Sequence, residues 1–158
     1  MITRKAIDED IPQLVEILNE VIAIGGTTAY QDPVDAAYFV RLVRAADPRT
    51  FIHVAVTGSH VEGFQWISPN PEREDLATIA TFARPGTVQR GIGTALFSAT
   101  KTAAKDAGYG EIDATIRADN SGGLAYYSKM GFKDHSVTNS VPLKDGTPVD
   151  RIHKRLPL

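Results

Sequence analysis

The sequence predicts one mixed α/β (α+β) domain, built on a mainly antiparallel sheet with helices on both faces. Its 158 residues are the usual size of a single domain, here expected to span 1–158. Apolar residues recur at helical spacing up to Ile22 and alternate from Phe51 onward, which indicates helices followed by hairpins. A strand, a helix and a further strand succeed one another from Leu76 to Ile116, and such a unit pairs its two strands in parallel.

The N-terminal third predicts a short strand and two helices. The strand is Ile2–Ile7, and Asp8 is placed to cap the helix that follows it. The pair Gly25-Gly26 ends this helix, because glycine interrupts the helical pattern. After a loop, Val34–Ala46 predicts a second helix with a buried apolar stripe.

The rest of the chain predicts strands joined by hairpins and two further helices. Phe51–Val56 and Val61–Ile67 flank a Gly58 turn and predict a hairpin. Ser68–Asp75 holds two prolines and predicts a loop, after which Leu76–Ala83 predicts a strand. The remaining elements are a helix at Gly91–Ala107, a strand at Glu111–Ile116, a helix at Asn120–Met130 ended by Gly131, and a hairpin of Lys133–Thr138 with Val149–Arg155.

Composition excludes several classes of protein. The formal net charge is −2, from 17 basic and 19 acidic residues. The chain therefore lacks the overall positive electrostatic potential that would attract nucleic acid, and no nucleic-acid partner is expected. The absence of cysteine excludes disulfides, thiolate zinc sites and a cysteine nucleophile, and no metal site is expected. No apolar run approaches the roughly 20 residues of a membrane span, so no membrane partner is expected. The N-terminus turns acidic too early for a signal peptide, and a cytoplasmic location is expected.

A glycine-rich turn joins the strand ending at Ala83 to the next helix. The N–H groups of a helix start are unpaired and its dipole end is partly positive, so a diphosphate there is stabilised. Gly91 and Gly93 remove side chains that would hold phosphates away. Arg90 and Thr94 add a charge and a hydroxyl. The alternative is a tight turn that uses glycine only for geometry; P-loop and Rossmann patterns fit badly, because their required residues are missing.

This segment resembles the GNAT superfamily of acyl-CoA-dependent N-acetyltransferases. The family motif is Arg/Gln-x-x-Gly-x-Gly/Ala, six residues past a Val-x-Pro, and here Gly91-Ile92-Gly93 follows Ala83-Arg84-Pro85 at that spacing. The Arg/Gln position holds Val88, with Gln89 one place later. The resemblance implies acetyl-CoA as co-substrate and a sheet whose parallel pair splays apart. It assigns Phe82, Ala83 and Arg84 to the pantetheine arm, and Val88, Gln89, Arg90, Gly91, Ile92, Gly93 and Thr94 to the diphosphate.

A second motif, from Asn120 to Phe132, resembles the family's other signature: a capping Asn, a Tyr seven residues later and a Gly-Phe pair. Seven residues are two helical turns, about 10.5 Å, so Asn120 and Tyr127 share one face. In the family this face borders the pantetheine and its sulfur, which adds both residues to the cofactor-binding set. The resemblance makes Tyr127 the catalytic acid, because a phenol of pKa about 10 can protonate a thiolate whose thiol has a pKa of about 8.5. The alternative is a core tyrosine whose hydroxyl bonds to backbone.

The general base is the least defined part of the predicted site. Many relatives carry a glutamate on the strand that begins at Leu76, and phosphinothricin-type enzymes have it at the position of Thr78, but this strand holds no acid. Thr78 and Thr81 are candidates to hold a chain of water. Such a chain would lead upstream to Glu74 or Asp75, or to Glu72, and a solvated loop is the alternative for these acids. The two histidines of the first predicted hairpin are further candidates.

Residues 17–34 resemble, loosely, the phosphinothricin acetyltransferase branch. In that branch this helix and loop line the amine pocket, which implies a small amino-acid-like amine as acceptor and places Thr27 and Thr28 beside it. Trp66 is a candidate wall of the pocket, with a core position as the alternative. A homodimer paired through Val149–Arg155 is also implied. Two rival hypotheses stay open, a non-catalytic acyl-CoA sensor and a structural domain without a cofactor.

Overall fold

A computed structural model describes residues 1–87 and 91–158 of the chain. The elements are β1 (Ile2–Lys5), α1 (Ile11–Ile24), α2 (Ala36–Val43), β2 (Phe51–Thr57), β3 (His60–Asn70), β4 (Arg73–Ala83), α3 (Ile92–Asp106), β5 (Glu111–Arg117), α4 (Ser121–Lys129), β6 (Lys133–Pro142) and β7 (Pro148–Pro157). Seven strands form one sheet in the order β1-β2-β3-β4-β5-β7-β6. Neighbouring strands are antiparallel except for β4 and β5. The predicted mixed, mainly antiparallel sheet is confirmed.

Helices cover both faces of this sheet. On one face, the α1/α2 face, Leu18 and Phe39 pack with the β3 rings of Phe64 and Trp66. On the other, the α3/α4 face, a second buried cluster holds Ala77, Ile79, Phe97, Ile112, Ala114 and Tyr127. Because successive strand residues point to opposite faces, the two clusters divide the strand side chains between them. Among the described helices, none has both the length and the apolar character needed to cross a membrane.

The parallel pair opens partway along its length. β4 and β5 are in register from Leu76, opposite Glu111, to Ile79, opposite Ala114. Beyond that point both strands continue, over 80–83 and 115–117, without pairing to each other. We call this opening the fork, and it confirms the predicted splay.

The backbone of β4 presents alternate residues to the fork. The Arg84 N–H donates to Glu62 O at 2.8 Å, so this opposed pair is a hydrogen-bonded one. Antiparallel pairs alternate, so Phe82 also directs its backbone groups toward β3. Thr81 and Ala83 therefore direct their N–H and C=O groups toward the fork. An extended ligand can add there as a further strand.

The turn between β3 and β4 is shorter than predicted. Ser68–Asp75 was expected as a loop, but β3 continues to Asn70 and β4 begins at Arg73, which leaves a two-residue turn. Pro69 is tolerated because β2 pairs with β3 only as far as Ile67, so the missing N–H faces an unpaired edge. The Asn70 side chain supports the turn by accepting from the Glu72 N–H at 2.9 Å.

The caps of α1 and α2 also differ from the prediction. Asp8 binds Arg44 instead of capping, with an Oδ2–Nη2 distance of 2.8 Å. Asp10 takes the position before α1 and accepts from the Ile7 N–H at 2.9 Å. α2 is shorter than Val34–Ala46 because the amide of Asn19 holds both backbone groups of Val34, at 2.8 and 3.0 Å.

Candidate active site

Tyr127 lies at the fork on the α3/α4 face. Its hydroxyl is 2.8 Å from Thr81 Oγ1, so α4 and β4 meet at this contact. The side chain is buried, and burial raises the pKa of Tyr127, while the hydrogen bond with Thr81 acts in the opposite direction. The phenol therefore stays protonated, which is the state a proton donor needs. Its partner is a side-chain hydroxyl rather than the backbone group expected of a core tyrosine.

A buried glutamine extends this contact into a network. Gln65 of β3 is fully buried, and its Nε2 donates to Thr81 Oγ1 at 2.8 Å and to the Tyr126 hydroxyl at 3.1 Å. The Tyr126 hydroxyl donates in turn to Gly93 O at 2.7 Å. Burial raises the pKa of Tyr126 to about 12. The network thus ties the fork to the start of α3. Sequence reasoning missed Gln65, although a lone amide on an apolar strand was a usable signal.

The first turn of α3 has three backbone donors without a partner among the residues that the structure describes. Gly91 precedes the helix with φ of +72°, a left-handed conformation that favours glycine. The first helical bond runs from the Ala95 N–H to Gly91 O at 3.1 Å, so the N–H groups of Ile92, Gly93 and Thr94 have no partner within the helix. A Cβ built at Gly91 meets none of the described residues within 4 Å, so these residues leave space for a phosphate. The predicted contacts of Val88, Gln89 and Arg90 lie outside the described residues.

The reason for glycine at 93 differs from the prediction. A Cβ at Gly93 would lie 2.5 Å from Cε1 of Tyr126, so the glycine makes room for a tyrosine ring of α4. It was expected to make room for phosphates. The turn therefore needs its two glycines for two different reasons, one a backbone angle and the other a close contact.

We expect Gly93→Ala to lower the free energy of unfolding by about 1–2 kcal/mol. Overpacking costs about 1–3 kcal/mol, and the better helix propensity of alanine offsets about 0.5–1 of it. Gly122 is the matched control, because it also occupies the second position of its helix and its Cβ would meet only Asn120 Oδ1, at 3.8 Å. Urea denaturation should show Gly122→Ala unchanged or stabilised. Equal effects of the two substitutions would contradict the clash with Tyr126.

Of the three residues assigned to the pantetheine arm, Ala83 alone faces the fork. Phe82 directs its backbone to β3 and its ring into the aromatic cluster around Trp66. The assignment of Arg84 to the pantetheine arm is wrong, because both of its backbone groups have partners within the chain. Its N–H donates to Glu62 O, and its carbonyl accepts from the Thr87 N–H at 3.1 Å. Its guanidinium binds Glu16 of α1 at 2.7 Å. Arg84 thus anchors the turn to α1, and Thr81, which was not assigned to this arm, takes its place at the fork.

Asn120 joins α4 to the loop between α1 and α2. Its Oδ1 accepts from the Gly123 N–H at 2.9 Å, the expected cap, and its Nδ2 donates to Thr27 O at 3.1 Å. A Cβ at Gly123 would lie 2.4 Å from that Nδ2, so this glycine lets the cap fold back over the helix. Both polar ends of the Asn120 side chain therefore have partners within the chain.

The structure divides the predicted route to a base between the two faces of the sheet, with Glu72 in the same groove as Thr78. Thr81 faces the α3/α4 face, and Thr78, three residues away on β4, points to the opposite face, so the two hydroxyls cannot share a chain of water. Asp75 is six residues from Thr81, about 20 Å along the strand. Its carboxylate binds Arg73 at 2.7 Å, and this hydrogen bond lowers the pKa of Asp75, which makes it a weaker base. Glu74 is exposed beside it.

The residues predicted to line the amine pocket divide into two groups. Thr27 and Thr28 lie in the loop between α1 and α2, and Thr28 O accepts from Arg117 of β5 at 3.1 Å, which holds this loop over the end of the fork. Trp66 is 6% exposed and packs against Tyr30 and Phe82. It therefore occupies a core position, the alternative to a wall of the pocket.

A polar groove lies on the α1/α2 face beside the fork. It encloses about 440 Å³ and is bounded by the β3–β4 turn and by side chains of β4, β5, β6 and β7. The turn between β6 and β7 reaches the α1–α2 loop, where Lys144 Nζ lies 2.5 Å from Asp32 Oδ1. His153 of β7 opens onto this groove. Sequence reasoning missed it, because only the register of β5 with β7 brings it beside the fork.

Comparisons with known proteins agree with this arrangement. The model of the acetyltransferase (GNAT) family matches residues 13–132. A mycothiol acetyltransferase from Clavibacter sepedonicus is 26% identical over 91 residues, which are 58% of this chain and 29% of that protein. The chain therefore spans less than a third of the length of this curated relative.

Solved structures share the fold over the whole chain. A ribosomal-protein-alanine N-acetyltransferase from Brucella melitensis has a TM-score of 0.91 at 19% identity, covering 100% of both chains. A phosphinothricin acetyltransferase from Sinorhizobium meliloti, solved with acetyl-CoA, has a TM-score of 0.89 at 22% identity over 99% of this chain and 88% of that one. A GCN5-related N-acetyltransferase from Kribbella flavida has a TM-score of 0.86 at 22% identity, covering 99% and 97%. With its fork, its open helix start and its matched motifs, the chain belongs to the acetyltransferase (GNAT) family, whose co-substrate is acetyl-CoA.

Proposed function

We propose that this protein transfers the acetyl group of acetyl-CoA to the primary amine of a small molecule by direct attack. The observation that carries the proposal is the contact of Tyr127 with Thr81, which sets a buried, protonated phenol at the point where β4 and β5 separate. Family membership supports acetyl transfer as the reaction. No cysteine is available for a covalent acyl intermediate, which favours a single displacement.

The described residues fit the donor along its whole length. The N–H groups of Ile92, Gly93 and Thr94 suit the diphosphate, since unpaired amides at a helix start bind anions. Thr81 and Ala83 suit the pantetheine amides, because a polar extended chain adds readily to a free strand edge. An N–H of this edge also suits the thioester carbonyl, where a fixed donor stabilises the negative charge that develops during attack. Tyr127 then donates its proton to the departing thiolate.

The acceptor is a small, polar primary amine. The groove beside the fork supports this class, because about 440 Å³ lies within the usual range of small-molecule sites and hydroxyl groups line it. The relative from Sinorhizobium meliloti is named for phosphinothricin, itself an amino-acid-like amine. The relative from Brucella melitensis is named for an alanine of a ribosomal protein, so any test must also include a peptide acceptor. A homodimer is part of the proposal, but Val149–Arg155 cannot be the strand that pairs, because it lies inside the sheet in β7, between β5 and β6. The exposed edge strand β6 supports the dimer instead.

Two assays test this function. First, acetyl-CoA at 100 times its Kd should stabilise the fold by about 2.7 kcal/mol, which a thermal shift would detect, while ADP alone should give a smaller effect. Second, release of free thiol should follow addition of one member of a panel of amino acids, diamines and an alanine-initiated peptide. No stabilisation by acetyl-CoA would favour a structural domain. Stabilisation without transfer to any amine would favour the acyl-CoA sensor.

A further inference from the structure

A second polar network lies on the face of the sheet opposite Tyr127. His153 of β7 is the cross-strand partner of Thr115 of β5, which is one residue past the last β4–β5 pair. Its Nδ1 is 3.0 Å from Thr115 Oγ1, and its Nε2 is 2.7 Å from Thr138 Oγ1. The side chain is 23% exposed and opens onto the groove. An imidazole is thus fixed at both nitrogens beside the fork while its ring stays reachable.

The hydrogen bonds determine which nitrogen of His153 is the basic one. The Thr115 hydroxyl donates to Asp113 Oδ2 at 3.0 Å, so its oxygen must accept from the ring. Nδ1 therefore carries the hydrogen, and Nε2 accepts from the Thr138 hydroxyl at 2.7 Å. Asp113 is buried, and its Oδ2 lies 3.8 Å from Nδ1.

Few charged groups surround His153. Arg155, also on β7, binds Asp113 at 2.8 Å, so its charge is directed to that carboxylate. Glu72 faces the groove from the β3–β4 turn. The β6 residues that face the groove, Ser136 and Thr138, are uncharged. An incoming ammonium thus meets Glu72, uncharged hydroxyl groups and one cation, Arg155, that is paired with Asp113, together with an imidazole in the accepting tautomer.

We infer that His153 is the general base that deprotonates the acceptor amine, with Asp113 and Thr115 as residues that position it. This inference rests on the proposed function. The ammonium gives one proton to the Thr138 hydroxyl, whose own proton passes to His153 Nε2, and the free amine forms the C–N bond as the C–S bond breaks. Tyr127 protonates the thiolate, the second proton leaves the nitrogen as the amide forms and restores Tyr127 through solvent, and His153 returns its proton to water. The fork thus separates the two proton transfers, with the base on one face and the acid on the other.

The test compares His153→Gln with His135→Gln in the thiol-release assay. His135 lies on β6 and is exposed away from the groove, so its variant controls for the loss of a histidine. With the best alkylamine of the panel, we expect His153→Gln to lower kcat by about 100-fold, in the range general-base removal gives. Affinity for acetyl-CoA, measured by calorimetry, should change less than about twofold, because the donor contacts lie elsewhere. Thr115→Val should also lower kcat, by less than His153→Gln does, because the N–H at Nδ1 of His153 loses its acceptor.

An amine that is already uncharged separates base catalysis from a structural role. Methoxyamine is neutral at pH 7 and needs no first deprotonation. With this acceptor, the loss of kcat caused by His153→Gln should therefore shrink to about tenfold or less. Equal losses with methoxyamine and the alkylamine, or an unchanged kcat in His153→Gln, would overturn the assignment while leaving the proposed function intact. A wild-type protein that transfers acetyl to no amine would overturn both.

Discussion

Tyr127→Phe should lower kcat by about 100-fold or more, with little change in the affinity for acetyl-CoA. Removal of a positioned proton donor costs 10²–10⁴ in rate, whereas the ring that contacts the ligand is retained. In this variant the thiolate leaves unprotonated. The loss of kcat should therefore be smaller for an acyl donor whose thiol is more acidic. Steady-state kinetics with thiol release measures kcat, and calorimetry measures the Kd of the donor.

The pH profile of this variant gives a second prediction from the same site. Because burial raises the pKa of Tyr127, the phenol is protonated in the whole range where a neutral-pH enzyme is assayed. The ratio of wild-type to variant rates should therefore stay constant from about pH 6.5 to 9. A ratio that falls as the pH rises would mean that the phenol loses its proton in this range.

Tyr126→Phe is the matched control. It also loses a buried hydroxyl, one that is bonded to Gly93 O and to Gln65, so each variant should lose about 1 kcal/mol of stability. The Tyr126 hydroxyl donates to Gly93 O at the start of α3 and is not the proposed proton donor to the thiolate, so we expect the kcat of this variant to stay within a few-fold of wild type. Similar losses of kcat in both variants would show that the hydroxyls serve packing alone.

Gly91→Glu should weaken acetyl-CoA binding by well over 100-fold. A carboxylate at the start of α3 would stand where the diphosphate is proposed to bind, and two like charges 4 Å apart near a protein surface repel by about 4 kcal/mol. The substitution also places a side chain at a φ of +72°, which costs about 1–2 kcal/mol of stability. Calorimetry with coenzyme A measures the affinity directly, on protein shown by its unfolding midpoint to be folded.

Gly91→Gln separates charge from shape in this experiment. It has the same size and the same backbone cost as the glutamate but carries no charge. We expect it to retain at least about a tenfold advantage in affinity over Gly91→Glu, and the advantage should shrink with added salt. Equal affinities for the two variants would place the diphosphate away from this helix start.

The sequence predicted best those features that are local in the chain. The helix after Gly91 and the capping role of Asn120 follow from a few neighbouring residues, and the parallel pair follows from one strand–helix–strand unit. Where a single residue had to be read without its tertiary partners, the prediction was wrong. The backbone of Arg84 was assigned to the pantetheine arm, but its N–H donates to Glu62 O on the neighbouring strand and its carbonyl accepts from the Thr87 N–H.

The two faces of the site explain why its base was not predicted. Thr78 and Thr81 are three residues apart, so alternation along the strand sends them to opposite faces. His153 reaches the fork through its pairing with Thr115, 38 residues earlier in the chain. No spacing rule in a single sequence gives that register, because it depends on how the β6–β7 hairpin docks on β5.

The central claim is that the fork and the start of α3 hold one donor molecule with its sulfur at Tyr127. A crystal structure with coenzyme A tests it most directly. It should show the pantetheine amides bonded to the backbone of Thr81 and Ala83, the diphosphate on the N–H groups of 92–94, and the sulfur in contact with the Tyr127 hydroxyl. Coenzyme A bound elsewhere, or a fork closed by continued pairing of β4 with β5, would contradict it.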